Sequence, residues 1–378
     1  MKRLKSTLPL AAFAFVCLLF PLDCLGQPQG RTQPDLPIDA AARKQVIDGI
    51  LKRLNEAYVF PEVAKKMETS VRERVAKGEY DSVASSQAFA EKLTADLQSV
   101  SKDKHLRVRY SHDILPVRPE RGEPTAEQRE ERRRELGWMN HGFDKVERLP
   151  GNIGYIEFRG FFDEEMGAET VAAAMNFVGG TDSLIIDLRR NGGGNPSMVA
   201  LISSYLFGPE PVHLNSLYWR EGDRTDEFWT RKEVAGKRYL GKDVYVLTSN
   251  RTFSGAEEFA YNLKNLKRAT IVGETTGGGA HPGGGFRASE HFMAFVPTGR
   301  AINPITKTNW EGTGVEPDVK VAADHALKTA HVAALRKGLN KVRDERLKRD
   351  MQDLIDNLQK ELTDAQSKSA GDSQAKKN

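Results

Sequence analysis

Hydrophobic and polar positions follow two different rhythms along this chain. Between Ile38 and about Ser101 the apolar residues recur at three- and four-residue steps: Val46, Ile47, Ile50, Leu51 and Leu54, then Phe89, Leu93 and Leu97. That spacing places them on one face of a helix and predicts three or four helices packed as a small bundle. After Leu149 the rhythm shortens. Residues 153–158, 183–187, 244–248 and 270–273 are short apolar runs ended by turn residues, separated by helical stretches at 169–178 and 197–206. Strands alternating with helices predict an α/β unit whose functional groups sit at strand ends.

The flanks read differently. Residues 118–136 are dense in Arg and Glu and predict a solvated loop and helix. A charged helical tract runs over 323–362, with Leu327, Ala330, Ala334 and Leu335 early in it. The last stretch, 363–378, is rich in Ala, Ser and Lys and predicts disorder. At the other end, Lys2, Arg3 and Lys5 precede a largely apolar run over 8–22. That run is too short and too interrupted by proline for a comfortable membrane span. Cys24 and Gly26 then supply small residues at the −3 and −1 positions of a cleavage site. This predicts a signal peptide at 1–26, and hence an exported protein, periplasmic or secreted, with no stable membrane span once the signal is cleaved. The expected units are the signal peptide, a polar linker at 27–37, the helical domain at 38–101, a junction with the charged insert at 102–150, a core at 151–322, the helical tract at 323–362 and the tail. No internal repeat is found.

Composition matters mainly through what it excludes. The 378 residues carry 56 Lys and Arg against 52 Asp and Glu, a formal charge of +4, too near balance to point to nucleic acid or an anionic membrane. Losing Lys2, Arg3, Lys5 and Asp23 with the signal takes the charge to +2. Both cysteines, Cys17 and Cys24, leave with it, so the mature chain has no disulfide, no cysteine nucleophile and no cysteine zinc site. No H-E-x-x-H metal motif is present either, and no metal or other cofactor is expected.

Chemistry concentrates at two glycine-bearing turns. The first, Asp187-Leu-Arg-Arg-Asn-Gly-Gly-Gly194, follows an apolar strand and precedes a helix. Consecutive glycines let another backbone approach and leave N–H groups free to face an anion. The run lacks the spacing of a phosphate-binding loop, which leaves an oxyanion hole or a plain tight turn. The second is Thr248-Ser-Asn-Arg-Thr-Phe-Ser-Gly-Ala-Glu-Glu258. There Ser254 is either a nucleophile at a helix N-terminus, or an N-cap with Glu257 completing a capping box. Of the eight histidines, His325 and His331 fall in the charged tract and are expected at the surface. His105 ends Asp103-Lys-His-Leu-Arg107 at the passage from helices to strands, and His281 lies in a glycine-rich loop, 277–285.

The ordered series Gly151-Asn-Ile-Gly-Tyr-Ile, Asp187 to Gly194, Thr248 to Glu258, Val272-Gly-Glu-Thr-Thr-Gly-Gly-Gly and Glu311-Gly-Thr-Gly-Val-Glu-Pro-Asp318 resembles the S41 serine peptidases. It looks most like the branch related to the interphotoreceptor retinoid-binding protein and the tricorn core protease, over about residues 38 to 335. The resemblance implies a ClpP/crotonase-like, β-rich α/β core with an N-terminal helical bundle domain and a C-terminal helical tail. Ser254 takes the nucleophile position. The lysine base of the C-terminal processing branch falls on Gly279, and 102–150 is too short to hold a PDZ domain. Both departures fit a Ser-His-Glu relay: His105 as base, Glu311 as orienting acid, Gly193 and Gly255 as oxyanion donors, and His281 as alternative base. The expected activity is serine endopeptidase hydrolysis of peptides or unfolded proteins through an acyl-enzyme. The competing expectation is a weakly catalytic or non-catalytic protein that binds apolar small molecules or peptides.

Overall fold

A computed structural model describes residues 33–117 and 125–375. The expected signal peptide with both cysteines, most of the linker and part of the charged insert lie outside the described residues. Helix α1 (Ala40–Ala57) begins where the Asp39 carboxylate accepts the Ala42 N–H at 2.7 Å, and it buries Val46, Ile47, Ile50, Leu51 and Leu54. Helix α2 (Pro61–Ala76) opens on a proline, tolerated because a first-turn N–H has no helical partner. Ser85 caps α3 (Ser86–Ser101). These three helices answer to the apolar spacing seen in the sequence.

Strands β1 (Arg107–Tyr110), β2 (Phe143–Leu149), β3 (Ile153–Phe158), β4 (Ser183–Asp187), β5 (His213–Trp219) and β6 (Arg224–Trp229) follow, interleaved with helices α4 (Ala126–Trp138), α5 (Glu164–Val178) and α6 (Pro196–Ser204). Next come β7 (Asp243–Thr248), α7 (Gly255–Asn265), β8 (Thr270–Gly273), β9 (Gly283–Arg287), β10 (Phe292–Pro297), β11 (Gly299–Ile302) and β12 (Val319–Lys320). The chain closes with α8 (Ala323–Leu339) and α9 (Glu345–Ala375). Six strands form the central sheet in the order β12-β8-β7-β4-β3-β2, parallel throughout except for β2 against β3.

A parallel sheet must be covered on both faces, and here the strand alternation assigns the two covers. Ile156, Phe158, Leu184, Ile186, Val244 and Val246 share a core with residues of α5, α6 and α7. Their neighbours Ile153, Tyr155, Ile185, Tyr245 and Leu247 face Ala326, Ala330 and Leu335 of α8, with Met351 and Ile355 of α9 behind. A second sheet, β11-β5-β6, flanks the first. A third, β1-β10-β9, packs Phe292, Ala294 and Val296 onto α1–α3.

Three sequence expectations need correction. The central sheet starts at Phe143 in β2, not at Gly151, because the 143–149 strand completes the edge beside β3. The C-terminal tract is a structural layer under the sheet, so His331 is buried with Nε2 2.8 Å from the Pro150 carbonyl, not on the surface. Residues 363–375 continue α9 as helix; the stretch holds no proline, and Thr363 Oγ1 bonds back to Gln359 O within the helix.

Candidate active site

Parallel strands deliver the loops at their carboxyl ends to one edge of the sheet, the usual place for a site in an open α/β fold. Here the loops after β4, β7 and β8 meet. In the first, Asp187 is buried and fully engaged: it accepts from the Tyr155 hydroxyl at 2.7 Å and from Arg189 Nε at 2.9 Å, while Arg189 Nη1 reaches the Ala323 carbonyl at 2.8 Å. This carboxylate pins the strand end to α8. Beyond it the backbone enters the left-handed region at Gly193 (φ +99°) and Gly194 (φ +142°).

The second loop carries Ser254, at φ +55° and ψ −123°, a conformation that costs a non-glycine residue roughly 1–3 kcal/mol. The surroundings hold it there. Phe253 N–H donates to the Asn191 carbonyl at 3.2 Å, Thr252 Oγ1 donates to the Leu188 carbonyl at 2.7 Å, and Ser254 N–H donates to Glu257 Oε2 at 2.9 Å. The two loops touch through glycine. A Cβ at Gly193 would lie 2.6 Å from Gly255 N and 2.8 Å from Ser254 Cβ, so only glycine permits this approach.

That contact changes the expected oxyanion pair. Gly193 N–H already donates to Asn191 Oδ1 at 2.9 Å. Among the described residues, the N–H groups beside the serine without a partner are those of Gly194 and Gly255, whose Cβ position would lie 3.0 Å from Gly194 N. Gly193 supplies the room; Gly255, at the positive end of α7, remains available as a donor.

The third loop passes over Glu257. This buried carboxylate accepts from Thr276 Oγ1 (2.5 Å) and Gly278 N–H (2.6 Å) on Oε1, and from Gly279 N–H (2.8 Å) and Ser254 N–H on Oε2. Burial pushes its pKa up to about 7 against the pull of these four donors. Glu258, next on the helix, is buried near Asn215 and Asn262, and burial pushes it up to about 8.

Both expected bases lie beside one carboxylate. The backbone N–H of His105 donates to Asp103 Oδ1 at 3.0 Å, and the His281 ring Nδ1 lies 2.8 Å from Asp103 Oδ2, which also accepts from the Tyr58 hydroxyl at 3.1 Å. Burial works against the Asp103 charge, but the His281 hydrogen bond and the nearby imidazoles hold its pKa below the usual carboxylate value. The bond to Asp103, an acceptor, requires the hydrogen on His281 Nδ1. The His105 ring lies against Phe253, with centroids 4.5 Å apart, and against Phe295 at 5.7 Å. Its Nδ1 is enclosed without a partner, and burial lowers its pKa to about 4 despite the charge of Asp103, so the ring is neutral.

Glu311 does not meet His105. Its Oε2 accepts from Ala280 N–H at 2.5 Å and lies 3.5 Å from His281 Nδ1, and its Oε1 is buried without a partner. Burial and the neighbouring Asp103 charge push its pKa up to about 7. The structure therefore brings Glu311 to the alternative base, and brings His105 to the residue before Ser254. Asp103 and Glu257 were not singled out from sequence as site residues. The signals were present: Asp103 stands two residues before His105, and Glu257 has capping-box spacing from Ser254. Asp103, His281 and Glu311 offer one nitrogen and two oxygens within 4.8 Å of one another, the only such set of possible cation ligands among the described residues.

Residues 152–321 match the description "Peptidase family S41", and residues 40–136 match "N-terminal domain of Peptidase S41 in eukaryotic IRBP". A lipoprotein from Streptococcus agalactiae has a similar structure at a TM-score of 0.53 and 16% identity, covering 81% of this chain and 98% of that one. A candidate peptidase from Parabacteroides merdae gives 0.51 and 17%, covering 74% and 90%. The photosystem II D1 C-terminal processing protease aligns at 0.43 and 16%, over 75% and 93%. At these identities the first two likenesses speak for the fold.

Proposed function

We propose, from the premise that this chain belongs to peptidase family S41 and is a serine-type peptidase, that it is an exported endopeptidase cutting peptides or unfolded proteins at Ser254. The observation that carries the reading is the Ser254 elbow. A strained serine at the N-terminus of α7 faces glycine N–H groups, with two imidazoles and two carboxylates on the adjoining segments.

In this reading Ser254 Oγ attacks the scissile carbonyl and an imidazole takes its proton. The Gly255 N–H, with Gly194, receives the developing oxyanion, an effect worth about 3 kcal/mol per donor. The imidazolium then protonates the leaving amine, and water releases the acyl group by the reverse path. His105 is the first candidate base because its neutral ring adjoins Phe253, one residue from the nucleophile. Catalytic hydrogen bonds are commonly loose until substrate binds, so the gap to Glu311 is expected to close in the complex. A specific observation favours a second assignment: His281 Nδ1 already lies 2.8 Å from an acid, Asp103, the pairing that a Ser-His-acid relay places on that nitrogen.

A fluorophosphonate probe separates these. Wild type is expected to be labelled and Ser254→Ala not; equal labelling of both removes Ser254 from the mechanism. His105→Ala is expected to abolish peptide turnover while His281→Ala mainly raises KM, and the opposite outcome exchanges their roles. Export rests on the basic, apolar and small-residue pattern at 1–26. N-terminal sequencing of the mature protein is expected to begin at Gln27, and an intact Met1 or Lys2 terminus would contradict it.

A further inference from the structure

We infer that Glu257 is a positioning residue for the peptidase reaction: its carboxylate locks the Ser254 elbow to the 276–279 segment, so that the nucleophile is held in place relative to the base and acid. The inference rests on Ser254 being the nucleophile. Its physical basis is a count of hydrogen bonds. Two donors converge on each carboxylate oxygen, and they come from two different loops: Ser254 N–H from the elbow, and Thr276 Oγ1, Gly278 N–H and Gly279 N–H from the segment after β8.

That segment is in turn tied to the parts carrying the other site residues. Thr276 Oγ1 accepts the Val315 N–H at 2.7 Å, Gly278 O accepts the Gly312 N–H at 3.1 Å, and Gly279 O accepts Trp310 Nε1 at 2.7 Å. These three contacts hold the 310–315 loop that bears Glu311. The next residue, Ala280, donates its N–H to Glu311 Oε2, and His281 follows it. A Cβ at Gly279 would lie 2.7 Å from His105 Cε1, so the same glycine also backs the other imidazole. One side chain thus connects nucleophile, acid and both candidate bases, while touching neither substrate nor the reacting atoms.

The chemistry specifies a carboxylate. Four donors demand four acceptor sites, which an ionised carboxylate provides and a carboxamide does not. A glutamine here keeps one acceptor oxygen and turns an NH2 toward one of the two donor pairs. The elbow or the 276–279 segment then moves away, and small displacements of this kind are costly in rate. The local cost falls on geometry, because α7 is otherwise held by Phe259, Ala260 and Leu263 in the main core.

The test uses the mature chain at pH 8, with acylation by a fluorophosphonate, peptide kcat and KM, and Tm measured on wild type, Ser254→Ala, Glu257→Gln and Thr276→Val. Glu257→Gln is expected to lower the acylation rate and kcat about 100-fold with KM within twofold of wild type. Thr276→Val, which removes one donor and leaves the carboxylate, is expected to lower both about fivefold. Acylation of Glu257→Gln within threefold of wild type overturns the inference. So does a loss matched by a raised KM and a collapsed Tm, which would make Glu257 merely structural. Should Glu257→Gln fail to fold, Thr276→Val decides: unchanged acylation there also overturns it. Failure of the underlying reading looks different, since wild type itself would then go unlabelled or Ser254→Ala would label.

Discussion

Ser254 sits in a backbone conformation that only its neighbours make tenable, and the adjacent residues show how unevenly a single helical turn is built. Glu257 meets four donors, whereas the buried Glu258 has an Oε1 with no partner among the described residues and lies beside only the neutral amides of Asn215 and Asn262. Burial raises the folded-state pKa of Glu258 to about 8, from 4.5 in an open chain. Between those values the folded protein holds a proton that the unfolded chain lacks, so this group makes stability fall as pH rises from about 4.5 to about 8. The cost is fully present above pH 8 and absent below 4.5. Glu258→Gln is therefore expected to raise Tm over wild type at pH 8.5 and to give little at pH 5. An equal shift at both pH values would show that burial of the charge is not the cause. Ser254, His105, His281 and Glu311 could be picked from residue type and motif order. That Asp103 would bind the His281 imidazole depends on side chains meeting across loops 178 positions apart, whereas the Gly193 N–H is spent locally, on Asn191 two residues before it.

Among the elements, α7 and the loop after β4 act as one unit. The Gly193–Gly255 contact lets a helix N-terminus and a tight turn approach more closely than any side chain would allow. On the opposite face, α8 is the element whose role the sequence disguised. Its charged residues suggested a solvated tract, yet Ala326, Ala330, Ala334 and Leu335 form a stripe against Ile153, Tyr155 and Tyr245. Small residues at three of the four positions let the helix lie close to the sheet. Leu335 is fully buried in that stripe, and Leu335→Ala is expected to cost about 2–5 kcal/mol of stability. Because α8 lies across the sheet from α7, the acylation rate of the folded fraction should remain near that of wild type. Denaturant titration measures the first, and a loss under 1 kcal/mol would show that α8 is dispensable to the core. The four parallel strands β3, β4, β7 and β8 and the helices between them were legible because short apolar runs and 3.6-residue spacing are local; the antiparallel strands of the flanking sheets were not read. The identity of α8's partner was not, because a half-apolar helix reads the same against solvent and against a sheet.

At the scale of the whole molecule, the N-terminal helices and the peptidase core are interlocked. Residues 283–297 leave the site as β9 and β10, pair with β1, and insert Phe292, Ala294 and Val296 among Phe89, Leu93 and Leu106. The same hairpin starts two residues after His281, and His105 stands two residues before β1. The helical layer thus reaches the site through short tethers on both sides. A fragment comprising 27–101 lacks those three core side chains and is expected to show no cooperative unfolding transition, as judged by thermal circular dichroism; a sharp transition would make the helices an independent domain. The sequence alone determined the class of fold and several of its strands and helices, and it nominated the residues proposed to carry peptidase chemistry, because periodicity, turn residues and motif order are properties of neighbouring positions. Only the tertiary structure decided which imidazole holds which acid, how closely the two glycine turns approach, and that Glu257 ties the loops together. Those outcomes depend on distances between segments separated by up to 178 positions, where burial and hydrogen-bond competition, not local pattern, set the pairing.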